Sequence, residues 1–106
     1  MVRRRDARKA VLDALSGHDR VSLQNILMIV PDRENAVALS LLDERERERI
    51  LALLGPQKRI RVKEEIDYQK RLFVRPGRSY AIIRRFLEYF ERGAKAGRLK
   101  SYIRPR

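Results

Sequence analysis

Apolar residues recur along this chain at intervals of three and four positions, the spacing that places side chains on one face of an α-helix. The clearest example lies between residues 82 and 90, where Ile82, Ile83, Phe86, Leu87 and Phe90 form the most apolar face in the sequence. No hairpin pattern and no glycine-rich phosphate loop is visible. The pattern predicts an all-α fold, a compact array of about five or six short helices.

Turn-forming residues divide this pattern into segments. The first helix is predicted from about Arg4 to Leu15, and Gly17 is expected to end it. Ser22 is expected to cap a second helix that continues to Val30. A short apolar run of this kind is also compatible with a buried strand, but no partner strand is evident elsewhere. A helix is therefore the favoured interpretation.

The next two helices are predicted from their capping residues. Pro31 and Asp32 are expected to end the second helix and to cap a third. Asp43 and Glu46 have the spacing of a capping box, which predicts a fourth helix that ends at Leu54. The exposed turn of that helix, residues 44–49, alternates Glu with Arg and is expected to be a solvated face. The buried stripe of the third helix is predicted to contain Ala36, Leu39 and Leu42.

The C-terminal half is expected to hold two more helices. The fifth runs from Gln57 to about Leu72, with Ile60, Val62 and Ile66 as its apolar positions, and residues 73–77 form a connection. Ser79 is expected to cap the sixth, which the glycines at 93 and 97 end. The predicted organisation is a basic N-terminal helix and linker (1–20), a helical domain (21–93) and a basic flexible tail (94–106). The first helix could pack on the domain or extend from it as a basic arm.

Length and composition restrict the class of protein. A chain of 106 residues can bury one core, and its hydrophobic fraction of 43% is sufficient for folding. The absence of cysteine excludes a disulfide framework and zinc sites built on thiolates. No apolar stretch is long enough to span a bilayer, and no signal peptide is recognisable. We expect a cytoplasmic protein that could act at the cytoplasmic face of the membrane, with no cofactor or metal.

Positive charge is concentrated toward the C-terminus. The net charge of +12 divides into +3 for residues 1–20, −2 for residues 21–54 and +11 for residues 55–106. Clustered charge attracts acidic partners, whereas a nearly neutral segment is free to pack. The alternative is that these side chains only solvate helix surfaces. The candidate partner-binding residues are Arg84, Arg85, Arg92, Lys95, Arg98, Lys100, Arg104 and Arg106.

Few residues are suited to catalysis. Glu64, Glu65 and Asp67 form a cluster of carboxylates, but adjacent residues of a helix are expected to point in different directions, and neighbouring lysines can neutralise them. His18, the only histidine, follows a glycine at a helix end, where a solvent-exposed structural role is expected. The sequence therefore predicts a protein that is not an enzyme.

The segments ALSLLDERERERIL (38–51) and ALLGPQKRIRVKEEI (52–66) resemble the helical unit of the flagellar motor switch protein FliG, which is also found in the N-terminal domain of MgtE-type magnesium transporters. Leu87 and Glu88 are similar to a Leu-Glu pair in the last helix of that unit. The resemblance implies an armadillo-like fold, similar to the FliG middle domain, over roughly residues 31–90. The matching positions are Ala36, Leu39, Ser40, Leu42, Asp43, Ile50, Leu51, Leu54, Pro56, Val62 and Ile66.

The resemblance also implies a function. FliG-like modules contribute protein contacts to the flagellar motor, so the leading hypothesis is a non-enzymatic adaptor in that or a related cytoplasmic assembly. The Glu-His-Pro-Gln motif that the family presents to the adjacent switch component would fall on residues 30–33, which do not match it, so binding of that component is not implied. The torque-generating charged helix is not identifiable either.

Nucleic-acid binding is the alternative hypothesis. The basic C-terminal residues could contact phosphates, with Tyr80, Tyr89 or Tyr102 available to stack on bases. No sequence-specific nucleic-acid motif is present. Residues 80–98 are also compatible with a membrane-surface role, although an apolar stripe at helical spacing is more often part of a core. Steep loss of affinity with salt would distinguish phosphate binding from protein binding with an apolar centre.

Overall fold

The computed structural model describes residues 4–72 and 80–92 of the chain. Within these residues there are six helices and no strand, so the predicted all-α class is confirmed. The predicted connection at 73–77, the Ser79 cap, the glycine break and the basic tail lie outside the described residues. The helices are α1 (Arg4–Ser16), α2 (Arg20–Ile29), α3 (Asp32–Leu39), α4 (Glu44–Leu51), α5 (Pro56–Leu72) and α6 (80–92).

Helices α2 to α5 form an internal repeat of twelve residues. They begin at residues 20, 32, 44 and 56, so each of the first three helices and the turn after it occupies twelve residues. The same interval separates two sets of buried residues, Leu27, Leu39 and Leu51 in the first set and Val30, Leu42 and Leu54 in the second. The first three of these helices have ten, eight and eight residues and are marginal in isolation, so their stability has to come from packing against their neighbours.

Each turn of the repeat is closed by a side chain from the following helix. The donors are Asn35, Arg47 and Arg59, again twelve residues apart. Their acceptors are the backbone carbonyl oxygens of the two buried sets, eight and five residues earlier, at distances of 2.9 to 3.3 Å. The last carbonyls of a helix lack partners within that helix, and these donors satisfy them. The buried apolar residues and the donors that bind the turn carbonyls therefore both recur every twelve residues.

Two predicted caps are wrong. Asp19, not Ser22, is the N-cap of α2, because the Asp19 carboxylate accepts the backbone N–H of Ser22 at 2.8 Å. This hydrogen bond lowers the pKa of Asp19 below its ordinary value. At α3 the prediction is right for Pro31, which occupies the N-cap position without a side-chain hydrogen bond, and wrong for Asp32. Asp32 lies in the first turn of α3 and binds α5 instead.

The predicted capping box of α4 is confirmed, but its predicted end is wrong. Asp43 accepts the backbone N–H of Glu46 at 2.8 Å, and the Glu46 carboxylate accepts that of Asp43 at 3.0 Å. The helix ends at Leu51, three residues before the predicted end at Leu54. Arg59 donates to the carbonyl oxygens of both residues, so the chain turns there without continuing the helical hydrogen-bond ladder.

All six helices contribute to one buried core. Helix α1, which the sequence left either packed or extended, is packed, because Ala7, Val11 and Leu15 are buried in it. Arg8 also ties α1 to the start of α4 through a 2.7 Å ion pair with Glu46, so the alternating turn 44–49 is not entirely solvated. The residues of this core that α5 and α6 supply are Val62, Ile66, Ile82, Ile83, Phe86 and Phe90.

His18 has a partner in that core. Its ring is half-buried and contacts the ring of Phe90 edge-on, with 5.5 Å between the ring centroids. The aromatic contact joins the turn between α1 and α2 to α6. His18 therefore has a packing role, and the predicted solvent exposure is only partial.

Candidate protein-binding surface

One side of α2 is exposed and uncharged. Residues 21–31 contain no Asp, Glu, Lys or Arg, in a chain in which 38% of the residues are charged. The exposed fractions are 67% for Val21, 44% for Met28 and 69% for Ile29. We call the exposed residues Val21, Gln24, Asn25, Met28 and Ile29 the α2 face. Exposed apolar residues that recur on one helix face mark interaction sites more often than single ones do.

The opposite side of α2 is buried, which fixes the orientation of the α2 face. Leu23, Ile26 and Leu27 point into the core, so the residues on the other side of the helix face solvent. Met28 leans toward the turn before α5, where its methyl carbon lies 3.9 Å from the position that a Cβ atom would take on Gly55. The α2 face therefore extends to the start of α5.

Comparison with the equivalent positions of the repeat shows that the α2 face is unusual. Val21 stands where α3, α4 and α5 carry Arg33, Arg45 and Gln57, all of which are exposed. Ile29 is also different, because its equivalents twelve and twenty-four residues later, Leu41 and Leu53, are partly buried against the core. In α2 the repeat thus has an apolar residue at a normally polar position, and it exposes a residue that the next two repeats cover.

A buried ion pair holds the end of α2 against α5. The side chain of Lys58 is only 7% exposed, and its Nζ lies 2.7 Å from Asp32 Oδ1. The same Nζ donates to the carbonyl oxygen of Val30 at 2.6 Å, just after the last residue of α2. Arg61 Nε donates to the other carboxylate oxygen, Oδ2 of Asp32, at 3.0 Å. The contacts of Lys58 with Val30 and Asp32 therefore hold the end of α2 against α5.

The same contacts set the ionisation of Asp32. Burial alone raises the pKa of its carboxyl group, but the bonds from Lys58 and Arg61 outweigh that effect. The pKa of Asp32 therefore lies below its ordinary value of 3.8, and the carboxylate is charged at neutral pH. A charged Asp32 is what the buried ammonium group of Lys58 needs as a partner.

Only three of the predicted partner-binding residues lie in the described part of the chain. Arg84, Arg85 and Arg92 are exposed on α6. Arg85 Nε lies 4.0 Å from a carboxylate oxygen of Glu34, and the guanidinium of Arg92 lies 5.9 Å from the centre of the Tyr89 ring. The other five, Lys95, Arg98, Lys100, Arg104 and Arg106, lie outside the described residues.

The charge of the described residues is close to balanced. All 14 acidic residues fall within 4–72 and 80–92, whereas eight of the 26 basic residues fall outside these ranges. The described residues therefore carry a net charge of +4 out of the total of +12. Helix α6 itself combines three arginines with two glutamates. The described surface of α6 is thus a mixed surface and not a purely basic stripe.

The carboxylates of α5 line an open groove. Its volume is about 510 Å³, and its remaining walls come from Arg61, Arg71, Tyr68 and Asp32. The sequence predicted that Glu64, Glu65 and Asp67 would point in different directions, but all three border this groove. Four carboxylates and two guanidinium groups line its walls, so both signs of charge are present and the acidic groups are in excess.

Within the described residues, no group of three or more His, Asp or Glu side chains is placed to hold a metal ion. None of the described helices combines the length and the apolar character that are needed to cross a bilayer.

Sequence reasoning missed both the repeat and the α2 face. The twelve-residue interval is visible in the sequence as Leu-x-x-Val at 27–30 and Leu-x-x-Leu at 39–42 and 51–54. Aligning these units would have shown that Val21 replaces arginine, and the charge-free run from 21 to 31 was a second available signal. The exposed fractions of individual residues required the structure.

Comparison with protein-family models, with curated proteins and with solved structures finds no match for this chain.

Proposed function

We propose that this chain is a non-enzymatic adaptor that binds another protein through the α2 face. The observation that carries the proposal is the uncharged, exposed face itself, in a chain whose other exposed helix positions are mostly charged. The centres of protein interfaces are depleted in charge and enriched in apolar residues. The α2 face has this composition, and the ion pair of Asp32 with Lys58 holds it in place, which reduces the ordering cost of binding.

The narrower form of the proposal is a FliG-like module of a flagellar motor or a related cytoplasmic assembly. Its support is the sequence pattern of residues 38–66. Most residues of that pattern are core or capping residues here, including Leu39, Leu51 and Asp43. They support a similar way of packing short helices and carry no information about the partner. The partner has to be sought through the α2 face.

The test is a pull-down from native cell lysate with the full chain, after nuclease treatment and a wash at moderate salt. Three baits are compared: the wild type, the triple variant Val21→Arg, Met28→Ser, Ile29→Gln, and the control Tyr68→Gln. The first two substitutions introduce residue types found at equivalent positions, as in Arg33 and Ser40, so the fold should tolerate them. Tyr68 is also exposed, at 55%, but lies about 18 Å along α5 from Pro56.

If the proposal is right, mass spectrometry identifies the same proteins with the wild type and with Tyr68→Gln. Their recovery with the triple variant is at least tenfold lower. Flagellar motor components among them would support the narrower form. Equal recovery with all three baits would refute a role for the α2 face. Recovery of nucleic acid alone, in a control without nuclease, would favour the phosphate-binding alternative, whose affinity should fall steeply with salt.

A further inference from the structure

We infer that the ligand of the α2 face is a helix of a partner protein that has an apolar stripe bordered by acidic residues. This inference rests on the proposed function and specifies the chemistry of the partner. Its arguments are the shape of the α2 face, the equivalent positions of the repeat and the charge of the chain.

The shape of the α2 face suits a helix. Val21, Met28 and Ile29 lie along one side of a single helix, over roughly 12 Å at the helical rise per residue. A helical ligand can present apolar residues at intervals of three and four positions over the same length. The three apolar side chains of the α2 face are 44% to 69% exposed, so they form an open strip that a helix can cover along its length.

The internal repeat supports the same ligand. Leu41 and Leu53 are partly buried by the packing of the short helices in this chain, and Ile29 occupies the equivalent position without that cover. A helix laid on α2 would cover Ile29 as its equivalents are covered. Val21 supplies further apolar area where the arginines at 33 and 45 would oppose close packing of a partner helix.

Charge complementarity specifies the borders of the partner stripe. Arg20 and Arg33, both exposed, stand immediately before and shortly after the uncharged run. The carboxylates beside them are already bound within the chain. Asp19 accepts the backbone N–H of Ser22. Asp32 is paired with Lys58 and Arg61, and Glu34 lies 4.0 Å from Arg85. The positive field at the two ends of the α2 face therefore comes from Arg20 and Arg33. A partner with Asp or Glu beside its apolar stripe is attracted by this positive field, whereas a basic partner is repelled. A second copy of this chain is a poor candidate for the same reason, since it carries the same charge.

The test is a selection of helical peptides that bind the full chain. A displayed library of amphipathic helices of about 20 residues keeps a fixed Leu and Ile stripe and randomises the positions beside it. Selection uses the wild type, with counter-selection on the triple variant Val21→Arg, Met28→Ser, Ile29→Gln. Circular dichroism first checks that this variant folds. The single variant Ile29→Gln is a second bait for counter-selection, which is used if the triple variant does not fold. Tyr68→Gln is the matched control.

The inference expects enriched peptides with Asp or Glu beside the stripe, and at least tenfold weaker binding to the triple variant than to the wild type and to Tyr68→Gln. The variant is more basic than the wild type, so this loss cannot come from weaker charge attraction. Enriched peptides that depend on the α2 face but have neutral or basic borders would overturn the inference and leave the proposed function standing. Peptides that bind the wild type and the triple variant equally would overturn both.

Discussion

The ion pair between Lys58 and Asp32 offers the sharpest test of how the repeat is held together. In the variant Lys58→Met a flexible apolar side chain replaces the buried ammonium group. The Val30 carbonyl then loses its 2.6 Å donor and keeps only Asn35 at 3.3 Å. The Asp32 carboxylate keeps only Arg61, at 3.0 Å. The substitution therefore leaves a partly buried charge with half of its partners.

The expected loss follows from the degree of burial. Removing one partner from a buried ion pair costs about 3–5 kcal/mol. Asp32 is still 27% exposed in its side chain and retains Arg61, so we expect the free energy of unfolding to fall by about 2–3 kcal/mol. A domain of this size loses about 4–8 °C in Tm per kcal/mol, which places the decrease in Tm at roughly 10 °C or more.

A double-mutant cycle separates this pair from a general effect of the substitution. Asp32→Asn and Lys58→Met are made singly and together, and unfolding in urea is followed by circular dichroism. The double variant should be more stable than the sum of the single losses predicts, by about 1–2 kcal/mol, because neither charge is then left alone. Additive losses, or a change of less than about 0.5 kcal/mol for Lys58→Met, would refute the role assigned to the pair.

Three further predictions concern stability. Asp43→Ala should lower the free energy of unfolding by about 1 kcal/mol in urea, whereas Asp43→Asn should retain most of it, since both caps accept a hydrogen bond; equal losses would contradict the capping role. Arg59→Met should cost about 1–2 kcal/mol in the same assay, because three backbone carbonyls at the end of α4 lose a donor, and an unchanged midpoint would show that water replaces it. Because the pKa of Asp32 is lowered by folding, the unfolded chain takes up its proton first as the pH falls below about 5, and stability should decrease through and below 3.8. Thermal unfolding at several pH values should show a weaker decrease for Asp32→Asn, and parallel curves would exclude this linkage.

The sequence by itself determined the helical class and most of the elements. Apolar spacing is a local property, and it identified the helices because a helix places residues three and four apart on one side. The capping box of Asp43 and Glu46 was readable for the same reason, since both hydrogen bonds lie within four residues. Predictions that depended on a single residue type were weaker, as the wrong cap at Ser22 shows: Asp19 competes for the same helix end three residues earlier.

Only the tertiary structure decided which side chains close the turns and which surface is left open. Arg47 lies in the run 44–49 that the sequence predicted to be a solvated face. Arg47 and Arg59 instead donate to backbone carbonyls, because the chain folds back on itself over twelve residues. Lys58 is buried only because α5 packs on α3, and no local pattern indicates that contact. The apolar residues Leu27 and Ile29 are two positions apart on one helix, yet one is fully buried and the other is exposed. Burial depends on what the neighbouring helices cover, which is a property of the assembled fold and not of the residue type.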